Sequence, residues 1–109
     1  MTAERLADLI ERRRELGEPY LEFLVTDSMS AGLYVLPAGG VDGQSPHTED
    51  EIYVVLAGRS RFSAMGETCD VEPGDTIFVP AGEEHRFHDI IDELRMIVVF
   101  QPPEGSLGG

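Results

Sequence analysis

His47 and Glu51 lie four residues apart in the stretch Ser45 to Gly58, SPHTEDEIYVVLAG, which runs straight into an apolar strand. A second stretch, Gly74 to Asp89, GDTIFVPAGEEHRFHD, brings a further histidine, His85. Neutral imidazole and carboxylate are ordinary ligands of divalent transition metals. Two histidines and one glutamate, delivered from the ends of two separate strands, are enough to hold one ion and leave coordination positions open. Such a donor set does not choose among Fe, Mn, Ni and Zn. Taken singly, each residue reads as a surface polar group. Their occurrence together, between glycine and proline positions, points to a site.

Ligands of this kind need a rigid framework. The chain has 109 residues, near the common size of one domain, and a chain of this length buries roughly two-thirds of its unfolded surface. Hydrophobic residues make up 41%, too many for wholesale disorder. The formal net charge is −13, and every cation is an arginine. That balance argues against nucleic acid and anionic membrane as partners, since both need a basic face. Cys69 is the lone cysteine, so no internal disulfide forms. The first twenty residues carry charges and no apolar core of a signal peptide. The expected location is therefore cytoplasmic.

Three segments follow from the pattern. Residues 1–18 are expected to hold a short N-terminal α-helix over Thr2 to Leu16, with Thr2 as its cap and Leu6, Leu9, Ile10 and Leu16 on one face. Arg12, Arg13 and Arg14 suit its carbonyl end, and Gly17 and Pro19 stop it. Residues 19–101 alternate short strands with Gly and Pro turns, the pattern of an all-β sandwich or barrel. The expected strands are Tyr20–Thr26, Leu33–Leu36, Glu51–Leu56 (ended by a turn at Gly58), Arg61–Met65, Thr68–Val71, Thr76–Val79, His85–His88 and Leu94–Phe100. Residues 102–109, rich in Pro, Gly and Ser, are expected to be a flexible C-terminal tail. Alternation sends Glu51, Tyr53 and Val55 inward and leaves Ile52, Val54 and Leu56 outward. Strands apolar on both faces must be covered on both. The helix covers part of the outside, and a second copy of the chain covers the rest, so a homodimer is expected.

The chain resembles the cupins. Their first motif, G-x5-H-x-H-x3-4-E-x6-G, is met by Gly39, Ser45-Pro46-His47, Glu51 and Gly58. Their second, G-x5-P-x-G-x2-H-x3-N, is met by Gly74, Pro80, Gly82, His85 and Asp89. The resemblance implies a double-stranded β-helix, a jelly-roll barrel that is usually dimeric, with a metal inside held by His47, Glu51 and His85. Two positions depart from it. Ser45 stands where the family has its first histidine, and Asp89 where it has asparagine. Either Glu49 or a water is expected to fill the gap at Ser45. Tyr53 is a possible pocket hydroxyl, and Phe62, Met65, Phe78 and Phe87 are expected in the core or pocket wall. By alternation from His85, His88 points outward. Ser45, Glu49, Tyr53, Phe87 and Asp89 thus form the expected surroundings of the metal, and no catalytic residue is assigned. The function implied is that of a metal-dependent dioxygenase or isomerase of a small organic molecule. The alternative is a barrel that binds or senses a small molecule without chemistry.

Overall fold

Residues 1–44 and 46–106 are described by a computed structural model of the chain; Ser45 and residues 107–109 lie outside the described residues. A helix, α1 (Leu6–Leu16), precedes six strands: β1 (Tyr20–Val25), β2 (Ser30–Leu36), β3 (Asp50–Ala64), β4 (Glu67–Val71), β5 (Thr76–Val79) and β6 (His85–Gln101). All pairings are antiparallel. The order is β1-β2-β6-β3-β4, with β5 against the first part of β3. The fold is the expected all-β jelly roll, a double-stranded β-helix with one short N-terminal helix. No described helix is long and apolar enough to cross a membrane.

The helix starts later than expected. Thr2 does not cap it; Arg5 occupies the cap position and makes no side-chain capping bond. Residues ahead of Leu6 are exposed, so no buried contact offsets the cost of ordering another turn. The apolar face is narrower too. Leu9 is buried and Ile10 partly buried, whereas Leu6 and Leu16 are exposed. Leu9 packs with Leu21, Leu33 and Val35 on the outside of β1 and β2. Tyr34 and Leu36 join the main core inside the barrel, so β2 is buried on both faces, as its apolar run requires.

Two pairs of expected strands turn out to be single long ones. β3 runs 15 residues through Gly58 without a turn, and β6 runs 17 residues through Asp89. Their pairing slips at Val55/Ala57, Ala57/Arg59 and Arg59/Arg61. Gly58 sits at this crossing with φ +94, and a Cβ there would lie 2.3 Å from the Glu93 carbonyl oxygen. Glycine therefore marks a bulge and a close backbone approach, not a chain reversal. The irregular register lets both long strands bend, so one half of each serves one side of the barrel and the other half the opposite side. Asp89, at φ +50, bends β6 in the same region.

The main core holds Tyr53, Val55, Phe62, Phe87, Met96 and Val98, all essentially inaccessible. Met65 and Phe78, expected in the core or pocket wall, are both outside the core and exposed, although Met65 borders the outer recess that His85 lines. Met65 lies in the tight turn between β3 and β4 with φ +54. Phe78 alternates to the outer face of β5 opposite Ile52.

Candidate functional site

Antiparallel pairing brings the two motif stretches together at one end of the barrel. Glu51 is near the start of β3, His47 lies in the loop just before it, and His85 opens β6. The loop before β6 is tied by two hydrogen bonds to the loop before β3 and to the first residue of β3. The Gly82 N–H donates to the His47 carbonyl at 2.7 Å, and the Ala81 N–H donates to the Asp50 carboxylate at 2.9 Å. Alternation along β3 then points Glu51 and Tyr53 inward, at 2% and 0% exposure. One ligand atom from each of His47, Glu51 and His85 lies within 4.8 Å of the others.

The polarity of this cluster is uneven. His85 Nδ1 lies 2.8 Å from the Glu83 carbonyl, to which its N–H donates, so Nε2 faces the interior. There it approaches Glu51 Oε1 at 2.7 Å and the Tyr53 hydroxyl at 3.1 Å. The contact with Glu51 is close enough for an ion pair but lies outside hydrogen-bond geometry. Both Glu51 oxygens are buried with no hydrogen-bond partner among the described residues. Burial by itself lowers the pKa of His85; the Glu51 carboxylate and the Glu83 carbonyl outweigh it and hold the pKa above the ordinary histidine value. A carboxylate left this way is costly unless a positive charge joins it. Two imidazoles beside it complete a donor set that could hold a divalent cation.

The expected surroundings divide. Tyr53 is at the site, and Phe87 is buried behind it with ring centroids 5.0 Å apart. Glu49 is buried but turned away, accepting from the Thr48 hydroxyl and from the Gly105 N–H at 3.2 Å. Asp89 is exposed, with its carboxylate 2.8 Å from His88 Nδ1. His88 itself is half-buried, and its other nitrogen meets the Ser63 hydroxyl at 2.7 Å. Ser45 lies outside the described residues.

Three groups not anticipated from the sequence stand beside the cluster. The Gln44 amide oxygen accepts from the Tyr53 hydroxyl at 3.0 Å and lies 3.2 Å from His47 Nε2. The Gln44 amide nitrogen donates to the buried Asp42 carboxylate at 2.9 Å. Asp42 in turn accepts from the Tyr34 hydroxyl at 2.7 Å and the Phe87 N–H at 2.9 Å. Glu104 comes from beyond the last strand. Its N–H donates to the Ser30 hydroxyl at 2.9 Å, and its carboxylate lies 3.6 Å from His47 Nδ1. Residues 102–106, placed in the tail by sequence, thus fold back over the barrel end. A cavity of about 210 Å³ lies here, walled by Tyr20, Tyr34, His47, Val98, Phe100 and Glu104. Gln44 borders it and also an outer recess of about 510 Å³ that His85 lines. Tyr20 reaches the cavity only because residue 32 is glycine: a Cβ there would lie 2.2 Å from the Tyr20 ring.

The family model described as Cupin domain matches residues 32–100. The chain is similar to an uncharacterized protein of Streptomyces coelicolor, 46% identical over 104 residues, covering 95% of this chain and 99% of that protein. It is also similar to an acireductone dioxygenase of Geobacillus kaustophilus, 36% identical over 67 residues, covering 54% of this chain and 37% of the relative. A dimethylsulfoniopropionate lyase of Ruegeria pomeroyi is 36% identical over 61 residues, covering 55% of this chain and 30% of the relative. Its crystal structure superposes with a TM-score of 0.68 at 25% identity, covering 80% of this chain and 49% of that one. The chain therefore spans about a third of the sequence length of these two enzymes.

Burial pushes the Glu104 pKa up, and nearby carboxylates add to this against the attraction of His47. A carboxyl whose folded pKa is raised favours the fold while it is neutral. That contribution is complete below the unfolded pKa and is lost as pH rises through the folded one. Glu104→Gln is thus expected to raise the melting temperature of the metal-free protein slightly at pH 8, and the gain should shrink as pH falls toward 5. Melting curves at both pH values check this; a variant less stable at pH 8 contradicts it.

Proposed function

Because the chain belongs to the cupin domain family, we propose that His47, Glu51 and His85 hold one divalent transition metal, Fe, Mn, Ni or Zn, and that the barrel receives a small organic molecule beside it. The observation that carries this reading is the buried Glu51 carboxylate, without hydrogen-bond donors and flanked by two imidazoles. Cupins commonly bind divalent metals, and a cation is what such a carboxylate lacks. When bound, the metal supplies Lewis acidity or a site for dioxygen.

The rest falls to the chain's own groups. Val98 and Phe100 give the 210 Å³ cavity apolar walls, which suit a compact organic body. The Tyr20 hydroxyl is buried without a hydrogen-bond partner among the described residues, so it is free to donate to an oxygen of that molecule. Burial, then the Glu51 charge, pushes the Tyr53 hydroxyl well up, so in the metal-free protein it stays a donor and not a base. A cation at Glu51 acts in the opposite direction. Glu104, its pKa raised at the cavity wall, is the carboxyl best placed to take or give a proton. The reaction this favours is that of a metal-dependent dioxygenase or an isomerase. The names of the two partly matching enzymes, a lyase and a dioxygenase, support chemistry on a small organic molecule, without selecting the substrate.

One feature favours a second reading, in which the barrel binds or senses a small molecule without turnover. Tyr20, Tyr34 and Tyr53 are all held above the ordinary tyrosine value, chiefly by burial, and Glu104 alone remains as a proton carrier beside the cavity. A ligand that binds tightly and is recovered unchanged selects this reading.

Reconstituted protein is expected to take up about one divalent metal per chain, measured by elemental analysis after gel filtration. His47→Ala and His85→Ala are each expected to weaken binding by tenfold or more. Protein that remains metal-free after reconstitution contradicts the proposal. The homodimer rests on the outer face, where Ile52 and Phe78 are register partners and both exposed, with Val99 opposite Ile52 on the other side. Light scattering is expected to give twice the 12.0 kDa chain mass; a monomer at micromolar concentration rules this out.

A further inference from the structure

We infer that Gln44 supplies a fourth protein ligand to this metal through its amide oxygen. The inference rests on the metal reading above and deepens it. The first motif has a serine at position 45 where the family carries a histidine, which leaves one donor fewer than the motif allows. The residue before it carries an amide oxygen into the cluster. Gln44 Oε1 lies 3.2 Å from His47 Nε2 and 3.0 Å from the Tyr53 hydroxyl, which is itself 3.1 Å from His85 Nε2. Neighbouring donor atoms around one ion, with bonds of about 2.1 Å, stand about 3 Å apart in an octahedron. The spacing between Gln44 Oε1 and the imidazole is that of adjacent ligands.

The orientation of the amide is also set. Its nitrogen donates to Asp42 Oδ2 at 2.9 Å, and Asp42, at 6% exposure, is fixed by Tyr34 and the Phe87 N–H. Asp42 cannot accept from the amide oxygen side, so the oxygen is turned toward His47 and Tyr53. An anchored outer partner of this kind orients a ligand and raises its electron density. The two groups now facing the oxygen are adjustable. The Tyr53 hydroxyl rotates about its C–O bond, and His47 can carry its proton on the nitrogen that faces Glu104.

The donor set becomes two imidazoles, one carboxylate and one amide oxygen. Exchanging an imidazole for a carbonyl oxygen makes the site harder, which favours Mn2+ and Fe2+ relative to a site with three imidazoles. Gln44 also borders both the inner cavity and the outer recess, so the ion it holds stands where the two meet.

The test is titration of metal-free wild type, Gln44→Leu and Gln44→His with Mn2+ and Co2+ by calorimetry, together with the visible spectrum of each Co2+ form. Gln44→Leu is expected to weaken Mn2+ at least tenfold and to alter the Co2+ bands, which respond to the number and kind of bound atoms. Gln44→His is expected to keep Co2+ binding while losing preference for Mn2+. If Gln44→Leu does not fold, as judged by circular dichroism, Gln44→Asn takes its place; its amide is too short to span Asp42 and the ion, and the same losses are expected. Wild-type affinity and unchanged Co2+ bands in the variant overturn the inference while leaving the three-residue site intact. Weaker affinity with unchanged bands also overturns it, because Gln44 then acts only by positioning His47. A wild type that binds no metal overturns the site and the inference together.

Discussion

The close approach of the Glu51 carboxylate to His85, both buried, is the constraint on which the rest of the structure turns. Neither side chain is exposed by more than 1%, and the glutamate oxygens have no hydrogen-bond donor among the described residues. A folded chain tolerates such a carboxylate only when its geometry is imposed from outside. Here β3 and β6 impose it. The carboxylate sits near the start of one and the imidazole opens the other, and their two halves serve opposite sides of the barrel. Gly58 permits the bend, because its close approach to the Glu93 carbonyl excludes any side chain.

Around that pair the protein supplies a graded polar shell against an apolar interior. Tyr53 and Gln44 lead from His85 to His47, and Asp42 anchors Gln44 through a carboxylate that Tyr34 and the Phe87 backbone also hold. The contacts of Gln44 with Asp42 and His47 are local in sequence, whereas His85 to Tyr53 and the Phe87 N–H to Asp42 join distant parts of the chain, and together they restrict rotamers that would otherwise be free. Beyond them, Val98 and Phe100 line the cavity with apolar surface, and Glu104 borders it from the chain end. The arrangement suits a metal-binding barrel that admits one small molecule, the function proposed above.

Much of this was legible in the sequence, for physical reasons. Alternation along Glu51 to Leu56 gave the inward set Glu51, Tyr53 and Val55, because period two is a property of every strand. Glycine and proline spacing placed β5 between Gly74 and Pro80 and drew His47, Glu51 and His85 together as a set. Other features were not legible. Gly58 reads as a turn because local sequence does not distinguish a reversal from a bulge; the deciding contact, with Glu93, is long-range. His85–His88 and Leu94–Phe100 read as separate strands, whereas residues 89–93 between them continue β6, with Asp89, Asp92 and Glu93 exposed. Gln44 carries no titratable group and belongs to neither motif, and Glu104 meets His47 only through the return of the chain after β6. Met65 and Phe78 show the limit of composition: a turn and the outer face of β5 leave them exposed despite their apolar side chains.

The most direct test of this account is the melting temperature of wild type and Glu51→Gln, each in chelator and each with a saturating divalent metal. The account predicts that in chelator Glu51→Gln melts no lower than wild type, since the amide removes a buried charge that has no hydrogen-bond donor and only the His85 imidazole beside it. With metal at a hundredfold excess over its dissociation constant, wild type should gain about 2.7 kcal/mol, a rise of several degrees, while the variant gains little. A variant that melts well below wild type in chelator, with a wild type that metal does not stabilise, would show that the carboxylate is already satisfied within the protein and contradict the account.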